Sequence, residues 1–252
     1  MTHSQLTVLV VGSTGSIGRH VVDEALRRGH RVRALVRSVD RAAAVKPDAH
    51  AVVGDLTDAA TLDEAVEDVD AVIFTHGDNS NAEAVNYGAV RNVLDALAGR
   101  PVRIALMTTI GVTALRDSSR WKRRGERLVR ASGNEYTIVR PGWFDMNDTD
   151  QLAIAPRQGD THQTGTPADG VIARRQIARV LVDSLTNPEA AHKTFELVAA
   201  RGPEQDDLGP VLAALRTDPN GALDGPRDAT NLPLEGEPSG VRADLDRVRT
   251  HH

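Results

Sequence analysis

The 252-residue chain is long enough to bury the core of one large α/β domain, or of a domain with a small appendage, without covalent staples. Its 30 Lys and Arg against 35 Asp and Glu leave a net charge of −5, with 26% charged and 40% hydrophobic residues, a balance that favours neither nucleic acid nor a membrane as partner. The lack of cysteine excludes disulfides and thiolate chemistry, and with no apolar run near ~18 residues and no leader pattern at Met1-Thr2-His3-Ser4-Gln5 the chain reads as cytoplasmic.

In chain order, the run Leu6 to Val11 predicts a first strand. Gly12-Ser13-Thr14-Gly15-Ser16-Ile17-Gly18 follows it directly, and Ile17, Val21, Val22, Ala25 and Leu26 then share one face of a helix that ends at Gly29-His30. Strand, glycine-rich turn and helix are the context in which Gly-x-x-Gly-x-x-Gly binds a dinucleotide. Gly12 permits the sharp turn, Gly15 lets the backbone approach a pyrophosphate, and Gly18 lets helix and strand pack closely. The phosphates would meet the free N–H groups of the helix start.

A second strand, Arg31 to Val36, ends in Arg37-Ser38 with no carboxylate at the position that would take a ribose 2′-hydroxyl. A guanidinium there suits a 2′-phosphate, and Arg19 and Arg41 add to the positive field, so NADP(H) is favoured over NAD(H). Asp40 keeps NAD open.

Strands follow at Ala51 to Val53, Ala71 to Thr75, Arg103 to Thr108, Tyr136 to Arg140 and Thr194 to Val198. Ala84 to Leu97 has helical spacing and closes at Gly99-Arg100-Pro101. The repeated unit predicts a doubly wound parallel sheet, an α/β Rossmann fold over residues 1–202. Arg120, Lys122, Arg123, Arg124, Arg127 and Arg130 read as a solvated basic face. The polar, turn-rich stretch 145–170 reads as a substrate lid, and Val171 to Ala178 as the start of a helix, with Arg174 and Arg175 on the surface or aimed at an anionic substrate. Residues 203–252 hold six of the twelve prolines and ten acidic against five basic side chains, with helical pieces at Leu208 to Leu215 and Val241 to Val248. They read as a C-terminal extension that packs on the domain or on a partner subunit, disorder being the alternative. No metal site is expected, since His162 and His192 stand alone.

These residues together resemble the short-chain dehydrogenase/reductase superfamily, in its atypical NAD(P)H-binding branch of NmrA-like and flavin or biliverdin reductase-like proteins. The resemblance spans about residues 5 to 200 and rests on Val11 to Arg19, Arg37, Gly54-Asp55-Leu56, Ala131-Ser132-Gly133 and Tyr136-Thr137-Ile138-Val139-Arg140-Pro141-Gly142. It implies that Asp55 and Leu56 border the adenine, that Thr75, His76 and Gly77 line the cofactor ribose, and that Pro141, Gly142, Trp143 and Phe144 lie beside the nicotinamide. Asp55 as a turn residue, His76 as a structural histidine, and Trp143 and Phe144 as core are the plainer alternatives.

Tyrosine-dependent members pair a Ser or Thr after strand five with Tyr-x-x-x-Lys. Here Thr108, Thr109 and Ile110 end strand five, Lys122 precedes Glu126, and Ser118 stands where the tyrosine would be. A serine hydroxyl is a far weaker acid than a phenol of pKa about 10. The candidate catalytic residues are thus Thr109, Ser118 and Lys122, and the candidate substrate wall is Thr109, Ile110, Trp143, Phe144 and Met146. Lys122 would hold the ribose or belong to the basic face. The expected function is an NADPH-dependent oxidoreductase that passes a hydride to a small-molecule carbonyl, enone, quinone or flavin. An NADP(H)-sensing regulatory protein and a nucleotide-sugar epimerase or dehydratase are the alternatives, and a homodimer is left open.

Overall fold

The computed structural model describes residues 5–250. Its β-branched runs form β1 (Thr7–Val11), β2 (Arg31–Val36), β3 (His50–Val53), β4 (Ala71–Phe74), β5 (Arg103–Met107), β6 (Glu135–Pro141), β7 (Trp143–Phe144), β8 (Ala153–Arg157), β9 (Val171–Ile172) and β10 (Lys193–Ala200). Eight of them make one sheet in the order β3-β2-β1-β4-β5-β6-β10-β8, parallel except for β8, which runs antiparallel to β10. The central strands are buried on both faces, as parallel strands covered by helices must be. Chain order reverses between β1 and β4, and there the carboxyl ends of the strands open a crevice.

The helices are α1 (Gly18–Arg27), α2 (Val39–Ala42), α3 (Ala89–Leu97), α4 (Asp117–Ala131), α5 (Arg174–Asp183), α6 (Gly209–Ala213) and α7 (Ser239–Thr250). Val21, Val22 and Ala25 of α1 share one apolar layer with Ile177 and Leu181 of α5 and Leu212 of α6. Val90, Val93 and Leu94 of α3 share the other with Leu128 and Val129 of α4 and Val241, Leu245 and Val248 of α7. The C-terminal extension therefore contributes to both layers. Its three buried α7 side chains are each worth roughly 1.5–3 kcal/mol against exposure.

Charge pairs join the extension to the domain as well. The arginines of α4 that the sequence suggests are a solvated face are instead buried against it. Arg123 and Arg127 both bond Asp224, Arg124 and Arg127 both bond Glu237, and Arg130 bonds Asp218. Arg140, on β6, grips Asp228 at 2.7 Å and Glu126 at 2.7 Å, with Glu196 at 3.6 Å. An acidic tail and a basic helix are complementary, and pairing them offsets part of the desolvation cost of burying either.

Two further expectations change. Residues 145–170 are not a loose lid: β8 lies within them, and buried Asp160 accepts from the N–H groups of Gly111 and Thr113 at 2.6 and 2.8 Å. Pro156 hides this strand in the sequence, and it is tolerated because β8 is the sheet edge. Val171 and Ile172 do not begin a helix but pair with Trp143 and Phe144, and α5 starts only at Arg174.

Candidate functional site

The first cleft is built by strand ends. Gly12 turns the chain after β1 with φ +83°, and Gly15 N–H bonds back to Gly12 O at 2.9 Å. A Cβ on Gly18 would sit 2.0 Å from Gly12 O, so this close approach requires glycine. Ser13 Oγ donates to Leu35 O at 2.7 Å and ties the turn to β2. Beside this turn lies a cleft of about 390 Å3 lined by Gly12, Thr14, Gly15, Arg37, Arg41, Asp55, Leu56, His76 and Gly77, among others. Asp55 is a turn residue at the edge of this cleft. Its carboxylate accepts from Thr57 N–H and Oγ1 at 2.8 Å, bonds that hold it below the usual carboxylate range, while the residue borders the cleft. Arg37 and Arg41 form no ion pair among the described residues and face the same space.

A second cavity of about 220 Å3 continues from His76 and Gly77 and is lined also by Thr75, Asp78, Asn79, Met107, Thr108, Lys122 and Phe144. The turn 83–88 before α3 is π-helical rather than the regular helix the spacing predicts, and it serves this loop. Within it, Asn86 accepts from Asp78 N–H at 2.9 Å and donates to Asp78 O at 2.7 Å. The Val85 backbone takes a bond from the His76 ring, whose Nδ1 is buried without a partner. Burial, with the Lys122 charge nearby, pushes His76 down to about 4, so the ring is neutral at pH 7 and its orphan nitrogen is an acceptor.

Thr108 Oγ1 donates to Glu126 Oε1 at 2.7 Å, and Arg140 holds Glu126 from the other side. Thr75 Oγ1 donates to Val11 O at 2.9 Å. Lys122 has no hydrogen-bond or ion-pair partner among the described residues, and burial lowers its amine from the ordinary value. The two tyrosines are committed elsewhere: Tyr87 donates to Asp244 at 2.7 Å and Tyr136 to Asp218 at 3.0 Å, and burial raises both phenols.

The remaining candidates are spread out. Ser16 is exposed at the turn and Ile17 belongs to the core. Thr109, Ile110 and Ser118 are partly exposed and line neither cavity. Pro141 and Gly142 are buried at the end of β6, where a Cβ on Gly142 would lie 2.4 Å from Gly170 O. Strand alternation then turns Phe144 into the second cavity and Trp143 outward, 38% exposed, with Met146 55% exposed beyond it. Arg174 stacks over Phe144 at 5.2 Å and pairs with Asp145, so it braces the wall, while Arg175 pairs with Glu204. Residues the sequence reading passed over are Asp78, Asn79, Asn86 and Met107, and the polar run Asp78-Asn79-Ser80-Asn81 was their one visible signal. No cluster of metal-ligating side chains and no helix long and apolar enough to cross a membrane occurs among the described residues.

A glycine turn without Cβ atoms, an orphan buried acceptor on His76 and unpaired cations at Arg37 and Lys122 fit a bound nicotinamide dinucleotide. Fold and site together define a Rossmann-type dinucleotide-binding protein. A family profile described as NAD(P)H-binding matches residues 12–188, and the chain belongs to that family. It is similar to the photosystem II assembly factor Ycf39 of Synechocystis, 29% identical over 214 residues covering 78% of this chain and 63% of that protein. It is also similar to a (4-alkanoyl-5-oxo-2,5-dihydrofuran-3-yl)methyl phosphate reductase of Streptomyces griseus, 30% identical over 201 residues covering 78% of this chain and 68% of that one. In fold it is like the NADPH-dependent quinone oxidoreductase QOR2 of Escherichia coli, solved with NADPH: TM-score 0.59 at 18% identity, covering 77% of this chain and 71% of that one.

Proposed function

We propose that the protein is an NADPH-dependent reductase of a small conjugated carbonyl compound. The observation that carries this reading is the second cavity, because a passive dinucleotide site has no need of a half-buried, unpaired amine facing a space beyond the cofactor cleft. Gly12, Gly15 and the start of α1 would hold the pyrophosphate, Asp55 and Leu56 the adenine side, and His76 the ribose hydroxyls. When bound, the reduced nicotinamide would supply a hydride. Phe144 and Met107 exclude water from the reacting side, and rigid positioning does much of the remaining work. The reductase relative is named for an unsaturated lactone phosphate that carries an alkanoyl group, a conjugated carbonyl compound.

The test is NADPH oxidation followed against a panel of quinones, enones, aldehydes and flavins. Turnover with a conjugated carbonyl supports the reading. Tight NADPH binding with no turnover would favour the second reading, an NADP(H)-responsive binding protein, which draws support from the engagement of both tyrosines by the extension.

NADPH preference is assigned to Arg37. A charge-assisted bond to a 2′-phosphate is worth about 1.5–3 kcal/mol. Arg37→Ala is expected to weaken NADPH by about 10- to 100-fold at 1.4 kcal/mol per tenfold while leaving NADH nearly unchanged, as read by fluorescence titration. An unchanged NADPH/NADH ratio would remove Arg37 from this role.

A further inference from the structure

We propose that Lys122 is itself the proton donor, delivering a proton from Nζ to the oxygen of a conjugated carbonyl acceptor held in the second cavity. This rests on the reductase reading above. In the familiar arrangement a lysine only supports a tyrosine, and here the phenols are bonded to Asp244 and Asp218, away from the cavity.

The cavity lining leaves few alternatives. Thr108 has one hydroxyl proton, and Glu126 takes it, so Thr108 offers only lone pairs to the cavity. The Thr75 hydroxyl is spent on Val11 O. His76 is neutral, with its ring N–H on Val85 and its other nitrogen an acceptor. The Asp78 carboxylate accepts from Ser80 and Asn81 N–H groups, and the Asn79 amide is not an acid. Gly77, Met107 and Phe144 carry no acidic side-chain proton.

Lys122 has three N–H bonds and no partner among the described residues, and its Nζ lies 4.0 Å from where a Gly77 Cβ would be. Nearby carboxylates are occupied: Glu126 by Thr108, Arg130 and Arg140, and Asp244 by Tyr87, while Glu83 on the π-helical turn is exposed. Burial eases loss of the proton at neutral pH.

The step balances simply. As the acceptor carbon gains the hydride, the carbonyl π bond or its conjugate moves its electron pair to oxygen. One N–H bond of Lys122 breaks, an O–H bond forms, and the neutral amine then regains a proton from water. Thr108, as a fixed acceptor, orients a donor on the cofactor or the acceptor.

The chain has only three lysines, Lys46, Lys122 and Lys193, so the amines can be followed singly. In protein labelled with 13C-lysine, the Lys122 Cε resonance, assigned by its loss in Lys122→Met, is expected to titrate below the ordinary lysine range. General acid catalysis is worth about 100-fold or more. Lys122→Met is thus expected to slow reduction of a quinone or enone by about 100-fold, with the alkaline limb of the pH profile lost and Lys122→Arg failing to restore it. The loss should be far smaller with 10-methylacridinium, which accepts a hydride and no proton.

Equal losses with both acceptors, or restoration by Arg, would reduce Lys122 to a positioning residue and overturn the proposal alone. So would titration of Lys122 in the ordinary lysine range. Absence of turnover by the unaltered protein would overturn the reductase reading and this proposal with it.

Discussion

Arg140→Ala is expected to cost about 3–5 kcal/mol of stability, the range for removing one partner from a buried ion pair. Its guanidinium is fully buried and is the shared counter-charge of Glu126, Asp228 and Glu196, which come from α4, the extension and β10. Domains have ~5–15 kcal/mol in total, so the loss is a large fraction of the whole. At roughly 2–4 °C per kcal/mol for a chain of this size, the melting temperature should fall by about 6–20 °C. The deficit depends on pH with a defined sign. Burial already raises the Glu196 carboxyl to about 7, Arg140 opposing the rise, and Arg140 bonds hold Asp228 below its ordinary range against burial. Without the guanidinium these carboxyls bind protons more tightly in the folded state, so the variant should lose most at pH 8 and recover part of the loss toward pH 5. A melting temperature indifferent to Arg140→Ala at pH 8 would refute this account of how the extension is held.

Gly18→Ala should act at the other end of the site, on binding. A methyl group 2.0 Å from Gly12 O and 2.9 Å from Ser13 Cα must push the glycine-rich turn away from α1. Overpacking of this kind costs about 1–3 kcal/mol and moves the backbone that would cradle the pyrophosphate. Expressed in affinity, that is a loss of up to about 100-fold for NADPH and NADH alike, in contrast to the selective loss at Arg37. Gly15→Ala provides the comparison. Its Cβ would meet only Gly12 O, at 3.1 Å, so stability should suffer less while the methyl still obstructs the phosphates. If Gly18→Ala bound either dinucleotide normally, the turn would not be the pyrophosphate cradle.

The doubly wound core was legible because period and punctuation agree there. Arg31–Val36 is a strand with the expected bounds, and β1, β4 and β5 differ from expectation by one residue at one end. The cleft beside the glycine-rich turn was legible because its residues follow strand ends at fixed offsets: Gly12 after β1, Arg37 after β2, Asp55 after β3 and His76 after β4 all line one space. The acceptor side was less so. Trp143 and Phe144 are neighbours in sequence but face opposite ways once β7 pairs with β9, and spacing cannot reveal a two-residue strand. Asn86 was hidden by a π-helical turn that shifts the register of an otherwise ordinary helical pattern. The arginines of α4 were misread because charge along one helix says nothing of what covers it. Their carboxylate partners lie about 88 to 113 residues away in sequence, and only the excess acid of the extension pointed to them.

The clamp between α4 and the extension has a consequence for the order of events during synthesis. Arg123, Arg127 and Arg130 leave the ribosome roughly a hundred residues before Asp224, Glu237 and Asp218, which neutralise them. Until those carboxylates emerge, α4 cannot bury its arginines without a large desolvation penalty. The nascent sheet must therefore wait with that flank open, and the second cavity, which shares α4 through Lys122, is completed only after the cleft beside the glycine-rich turn.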